Sequence, residues 1–253
     1  MDTTPILLKG GQSTLDPRLD RVRQVDIRSL AYPIRAALPK EAKQYGPRSY
    51  TYHLDLRLNQ GREGACVGAG LGHDLAARPG VVSGVTMDWC RENVYWPAQR
   101  QDEWEGGAFP GANPQYEGTS VLAGFKVVRD LQLIDGFRWA LTFDDLVLGV
   151  GYWGPAVIGV DWYEGMFAPD ADGFIHPVGR ISGGHCVCVV AVKIVKAPDG
   201  SVDYLRSYFT VQNSWSAGWG VDGRCRITFA ELLKLWPGGD FGFGVNRRKA
   251  TVA

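Results

Sequence analysis

The spacing of apolar positions changes character along the chain. Cys66 to about Ala77 follows a helical pattern, weakened on propensity by Gly68, Gly70 and Gly72. Thr86 to Pro97 reads as a helix capped by Thr86 and stopped by Pro97. Residues 98–118 are an aromatic, glycine-rich loop. Thr119 to Leu131 sets Val121, Leu122, Phe125 and Val128 at helical spacing. Thr142 and Asp145 have capping-box spacing at the head of a helix running to about Gly149. Beyond residue 154 the period shortens. Ala156–Asp161, His185–Val195, Ser207–Asn213 and Gly223–Phe229 are β-branched or aromatic runs bounded by Gly, Pro and Asp, as strands are. A short helix near Phe229 to Leu235 follows. Helices first and strands second predict an α+β architecture with two lobes.

Residues 1–58 differ from the rest. Pro5, Pro17, Pro33, Pro39 and Pro47 are spread through them and exclude long helices. Lys and Arg outnumber Asp and Glu there. We expect an extended segment packed on the body, with an inhibitory leader as the sharper alternative. Residues 59–253 are then the main domain, about 59–140 the helical lobe and about 141–253 the β lobe.

Composition narrows the function classes. The 253 residues carry 27 Lys and Arg against 27 Asp and Glu, a formal net charge of zero. A general nucleic-acid or anionic-membrane binder is not expected from that balance. Apolar residues are 45% and charged residues 21%, ordinary for a globular chain. No apolar run approaches the ~18 residues of a membrane span, and the N-terminal stretch lacks the layout of a signal peptide. Five cysteines, an odd count in a chain this long, do not form a disulfide framework. A reducing, cytoplasmic setting is the expectation.

Cys90, Cys186, Cys188 and Cys225 lie inside helical or strand patterns and read as buried, inert thiols. Cys66 follows the turn Gly61–Gly64 and opens a helix, where the dipole favours thiolate, the nucleophilic form. His185 follows Ser182-Gly183-Gly184 at the start of an apolar strand, where small residues leave access to its ring. Asn213 ends another strand, and its side chain can orient an imidazole while neighbouring tryptophans cover the bond. Three other signals are set aside. Gly149-x-Gly151-x-x-Gly154 has a helix before it and a strand after it, the reverse of a dinucleotide site, and reads as a turn. His176, His185, Cys186 and Cys188 do not form a zinc set, because neighbours on a strand point to opposite faces. Asp170–Gly173 opens like a calcium loop, but Ile181 stands where its bidentate acid belongs. No metal and no cofactor are expected.

Together these blocks are more specific than any alone. Gln60-Gly61-x-x-Gly64-Ala65-Cys66, Gly183-Gly184-His185 and Asn213-Ser214-Trp215-x-x-Gly218-Trp219-Gly220 resemble the papain-like cysteine peptidases, nearest their bacterial and phage-borne branch. His185 follows Cys66 by 119 residues and Asn213 follows it by 147, against roughly 130–150 in the pattern. The resemblance implies a cleft between a helical lobe, with Cys66 on a central helix, and a β-barrel-like lobe carrying His185 and Asn213. It implies an endopeptidase with a Cys66–His185 thiolate–imidazolium pair, Asn213 as orienting residue and Gln60 as an oxyanion donor. Trp215 would shield the His185–Asn213 contact, and Gly118 and Gly184 would meet an extended protein or peptide substrate. The chain departs from the pattern at Glu63, where many relatives have a cysteine, at Val67 in place of a tryptophan, and in having Gly118 alone of the usual glycine pair. Two rival expectations are a catalytically silent structural protein, such as one in a virion assembly, and a cell-wall amidase of the CHAP type.

Overall fold

The computed structural model describes residues 4–252; Met1 to Thr3, part of the stretch read for a signal peptide, and Ala253 lie outside them. The chain opens with β1 (Ile6–Leu7) and β2 (Ser13–Thr14), a two-stranded antiparallel pair, followed by α1 (Lys40–Tyr45) and β3 (Tyr50–Thr51). Between β2 and α1 only short 3-10 turns form, as the prolines dictate.

Next come α2 (Cys66–Ala76), β4 (Val82–Ser83), α3 (Met87–Trp89), a π-helical stretch Cys90–Tyr95, α4 (Trp96–Gln101) and α5 (Val121–Asp130). Thr86 caps α3 by accepting from the Trp89 N–H at 3.1 Å. Pro97 does not stop this helix. It falls in the first turn of α4 just beyond the π-helical stretch, where a missing N–H is tolerated, and the helix continues to Gln101. The three glycines of α2 are explained by close approach. A Cβ on Gly68 would lie 2.6 Å from the Cys90 carbonyl oxygen, on Gly70 2.9 Å from the Cys186 sulfur, and on Gly72 2.5 Å from the Cys90 sulfur. Burial on every side outweighs the weak glycine propensity.

The remaining elements are β5 (Gly136–Trp139), α6 (Phe143–Tyr152), β6 (Ala156–Tyr163), β7 (Ile181–Lys193), β8 (Tyr208–Gln212), β9 (Arg224–Thr228), α7 (Phe229–Leu235), β10 (Asp240–Val245) and β11 (Ala250–Thr251). Thr142 and Asp145 form the expected capping box on α6. Gly149 and Gly151 lie in its last turns rather than in a free turn.

Seven strands make one sheet in the order β5-β10-β6-β7-β8-β9, with β3 also on β7. Among the described residues this is an open sheet, so the expected barrel-like lobe is not a closed barrel. The 13-residue β7 pairs with β6 through its first part and with β8 and β3 through its last, with an irregularity between Val189 and Ala191.

Two separate apolar cores define the two lobes. Val67, Leu71, Leu75, Val94, Phe125 and Val128 form one around α2 and α5. Leu146, Val150, Ile158, Trp162, Val187 and Phe243 belong to the other, on the sheet and α6. Strand alternation links them: Val157 and Cys186 face the helical core, while Ile158 and Val187 face the sheet core. The 59–140 boundary cuts off β5, which pairs with β10 in the sheet. No helix is long and apolar enough to cross a membrane among the described residues.

Candidate active site

Cys66 is the first residue of α2, so its sulfur sits at the positive end of the helix. The opposite wall is β7, where the Cys186 N–H donates to the Cys66 sulfur at 3.3 Å. The residue before it is His185, fully buried and paired through Nε2 with Asn213 Oδ1 at 2.8 Å. The same Asn213 oxygen accepts from the Ser214 N–H at 2.8 Å, which fixes the amide. With Nε2 engaged, Nδ1 is the ring nitrogen left for chemistry, and it makes no hydrogen bond in this form.

Trp215 stacks on the His185 ring at 4.9 Å and 29°, which covers one face of it. The second cover is Trp162 of β6, edge-on at 4.8 Å. Sequence reasoning placed Trp219 in that role; instead it packs edge-on against Trp215. Trp162 lay in an ordinary strand pattern, and only strand pairing brings it to the ring.

Gln60 is held on both sides of its amide. Its Oε1 accepts from Ser214 Oγ at 2.6 Å, and its Nε2 donates to the Glu63 carbonyl at 2.7 Å and the Arg18 carbonyl at 3.3 Å. Besides the local Glu63 carbonyl, the Arg18 carbonyl therefore already lies at the amide expected to receive an oxyanion.

That carbonyl belongs to the N-terminal segment, which runs through the cleft. Arg18 stacks over Trp215 at 4.2 Å. Asp20 then reaches Cys66: the thiol donates to Asp20 Oδ1 at 2.9 Å, and Asp20 is completely buried. The Arg21 N–H donates to the Gly184 carbonyl at 3.0 Å, and the Val22 N–H to the Thr119 carbonyl at 2.9 Å. Gly184 thus pairs with an extended segment of the chain itself. Gly118 meets that segment differently. Its N–H and carbonyl are taken by the Tyr95 hydroxyl and Gln99, and Thr119 supplies the pairing carbonyl. Gly118 contributes room instead: at φ 93°, a Cβ there would lie 2.5 Å from the Asp20 carbonyl oxygen.

Burial sets the charge states of this closed form. It raises the Cys66 thiol well above its usual value, and the neighbouring Asp20 adds to that rise. It lowers His185 to about 4, against the upward pull of Asn213. It raises Asp20 to about 7, with Glu117 pushing the same way and the Cys66 thiol opposing. The expected thiolate–imidazolium pair is therefore not the favoured state here, because water is excluded from both groups.

The other chemistry-bearing residues are apart from this centre. Cys90, Cys186, Cys188 and Cys225 are buried free thiols. His176 pairs with Asp170 and Glu231 at 2.9 and 2.5 Å. Among the described residues no group of His, Cys, Asp and Glu has the arrangement of a metal site. Asp20, Arg21 and Asp240 were missed in the sequence, where they are scattered charges without a motif.

No protein-family model matches the chain. A 74-residue stretch is 36% identical to cathepsin B-like cysteine proteinase 6 of Caenorhabditis elegans; it covers 29% of this chain and 17% of that relative. The structure is similar to xylellain, a cysteine protease from Xylella fastidiosa, over 94% of this chain and 97% of that one, with a TM-score of 0.62 and 17% identity. It is also similar to digestive procathepsin L2 proteinase from the larval midgut of Tenebrio molitor, over 92% and 79%, with a TM-score of 0.51 and 16% identity. The chain has the two-lobed fold of the papain-like proteases.

Proposed function

We propose that this chain is a cysteine peptidase acting on proteins or peptides, held here in a closed form by its own residues 5–24. The observation that carries this reading is the Cys66 sulfur at a helix N-terminus against β7, which presents His185 to Asn213, with Gln60 bonded to Ser214, the residue after Asn213. When the segment leaves and water enters, the burial that keeps Cys66 and His185 neutral is relieved. The Cys66 proton passes to His185 Nδ1, and Asn213 holds the ring through Nε2.

The thiolate then attacks a substrate carbonyl carbon, and the carbonyl electrons move to oxygen. The Gln60 amide and the Cys66 N–H donate to that oxyanion; one such donor is worth about 2.7–4 kcal/mol of barrier. The tetrahedral intermediate collapses as the C–N bond breaks and His185 protonates the leaving amine. Water, deprotonated by His185, releases the acid from the thioester and restores the thiol. Five thiols without a disulfide among the described residues suit a reducing, cytoplasmic setting.

The filled cleft also favours one rival, a silent protein that keeps the fold. Labelling with an epoxide-type thiol inhibitor, followed by peptide mapping, decides between them. The peptidase reading expects one adduct at Cys66, lost in His185→Ala and faster in Asp20→Ala, where the thiol loses its acceptor. No adduct in either chain, or equal labelling of several cysteines, favours the silent protein. Release of peptidoglycan fragments without peptide cleavage in a protein substrate would instead point to the amidase.

A further inference from the structure

Next to the nucleophile the cleft contains a pocket already filled by a side chain. Arg21 follows Asp20, and its guanidinium turns down between β6 and β10 until it is 2% exposed. Both Nε and Nη2 donate to Asp240 Oδ2, at 3.1 and 2.6 Å. Nη2 also donates to the Gly238 carbonyl at 2.7 Å, and Asp161 Oδ1 lies 3.6 Å from Nη1.

Glycine makes the space. A Cβ on Gly159 would lie 2.6 Å from Arg21 Nε, one on Gly184 2.1 Å from the Arg21 carbonyl oxygen, and one on Gly238 2.3 Å from Asp161 Oδ2. Gly159 and Gly184 therefore make room for Arg21, and Gly238 makes room for Asp161 beside it. If Arg21 withdraws, Asp240 is left largely buried with Asp161 as its neighbour, a site that a cation stabilises. Two donors from one planar group to one carboxylate oxygen, plus a third bond to a carbonyl, match guanidinium better than an ammonium point charge.

The position along the cleft assigns the subsite. Arg18, before Asp20, lies over Trp215 on the side where His185 would meet a leaving amine. Arg21 and Val22 lie beyond the thiol on the Gly184 and Thr119 side, where the acyl half of a substrate would pair. Arg21 is one residue removed from the residue touching Cys66. We infer that Asp240, with Asp161, forms a guanidinium-selective pocket that favours substrates with arginine as the second residue on the acyl side of the cleaved bond, and that Arg21 occupies it as an internal mimic. The substrate half of this inference rests on the peptidase reading; the pocket itself does not.

The test uses the full chain carrying Arg21→Ala, alone and with Asp240→Asn. Two peptidyl epoxides, identical except for arginine or leucine at that second position, are compared by their rate of Cys66 labelling. We expect the arginine probe to be faster on Arg21→Ala by about tenfold or more, and the ratio to fall towards one in the double variant. Agmatine supplies a readout independent of the thiol. It should raise the unfolding temperature of Arg21→Ala saturably and leave the wild type, whose pocket is full, and the double variant unchanged. Equal labelling by the two probes on Arg21→Ala overturns the substrate preference while leaving the peptidase reading intact. No labelling by either probe overturns the peptidase reading and the substrate half with it. Agmatine without effect on a folded Arg21→Ala chain overturns the pocket. If Arg21→Ala does not fold, the same two readouts are taken on Arg21→Gln, which keeps polar bulk without charge.

Discussion

The helical lobe and the sheet meet each other mainly through apolar and glycine contacts, with one buried ion pair of Arg247 on Asp74 at 2.6 Å, whereas the N-terminal segment adds several buried charges to its backbone pairing and its few buried apolar side chains. Gly70 rests on Cys186, and Val157 and Cys186 of the sheet join the core of α2 and α5. The segment is fixed by Asp20 on Cys66, Arg21 on Asp240, and the fully buried Lys9, which binds Asp102 at 3.0 Å and the Gln99 carbonyl. Leu8, Leu19 and Val22 are its buried apolar side chains, Leu19 within the sheet core. Apolar contact needs only exclusion of water and has no ionisation step. A buried carboxylate, ammonium or guanidinium is held only while its partner and protonation state persist. The comparison assigns permanence to the lobes and releasability to the segment.

The largest expected effect tests whether the closed cleft conceals chemistry at all. In a chain whose segment has been displaced, Cys66→Ala should remove hydrolysis of a protein substrate, a loss of roughly 10⁴-fold or more by steady-state assay. Equal turnover in that variant would end the peptidase reading.

The next two variants separate segment from body. Lys9→Ala leaves Asp102 buried without its ion-pair partner and should loosen the segment, at a cost of about 3–5 kcal/mol to the closed form. The readout is epoxide labelling of Cys66, expected to accelerate sharply. Leu71→Ala, in the helical core, should cost about 2–5 kcal/mol in denaturant unfolding. Its labelling rate per folded molecule should stay near that of the wild type. If the two variants accelerate labelling equally, segment and body are not distinct units.

The pH dependence sharpens the same contrast. Asp20 sits near pH 7 in the closed form but near 3.8 when free in water. Closing therefore takes up a proton between those values. The Asp20 contribution thus favours the closed form at low pH and is lost as pH rises from about 4 through about 7, while His185, lowered to about 4 when closed, acts in the opposite sense over the lower part of that window. Relative to a chain without the Asp20 carboxyl, labelling of Cys66 should rise across that window. Asp20→Asn, which keeps a neutral hydrogen-bonding group, should flatten this rise. An unchanged profile in that variant would show that Asp20 does not govern opening.

The smallest expected effect lies in the body. Ser214→Ala frees Gln60 Oε1 from its 2.6 Å hydrogen bond. It should lower kcat several-fold with little change in KM, because Gln60 acts on the oxyanion and not on the bound substrate.

The candidate catalytic residues stood out in the sequence because each block couples a reactive side chain to the local backbone it needs. Cys66 follows a glycine turn and opens α2, His185 follows small residues on β7, and Asn213 directly follows β8. Helix and strand spacing gave α2, α5, α6, α7 and β6 to β9, since period reports burial of one face, whereas the shorter β5 and the glycine-interrupted β10 went unread. Pro97 misled because its effect depends on the neighbouring π-helical stretch, which has no sequence period of its own. The glycines of α2 looked like weakness because the backbone and sulfur atoms they approach belong to Cys90 and Cys186.

By itself the sequence determined the order of elements, the two-lobed class and the set of residues able to act on a carbonyl, all of which depend on local spacing and residue chemistry. Tertiary structure decided that Asp20 rests on Cys66, that Arg21 fills a pocket over Asp240, and that Trp162 joins Trp215 around His185. Arg21 and Asp240 lie 219 positions apart. Such partners are chosen by where β6, β7 and β10 place their edges, and by the free energy of removing charge from water, neither of which a short stretch of sequence encodes.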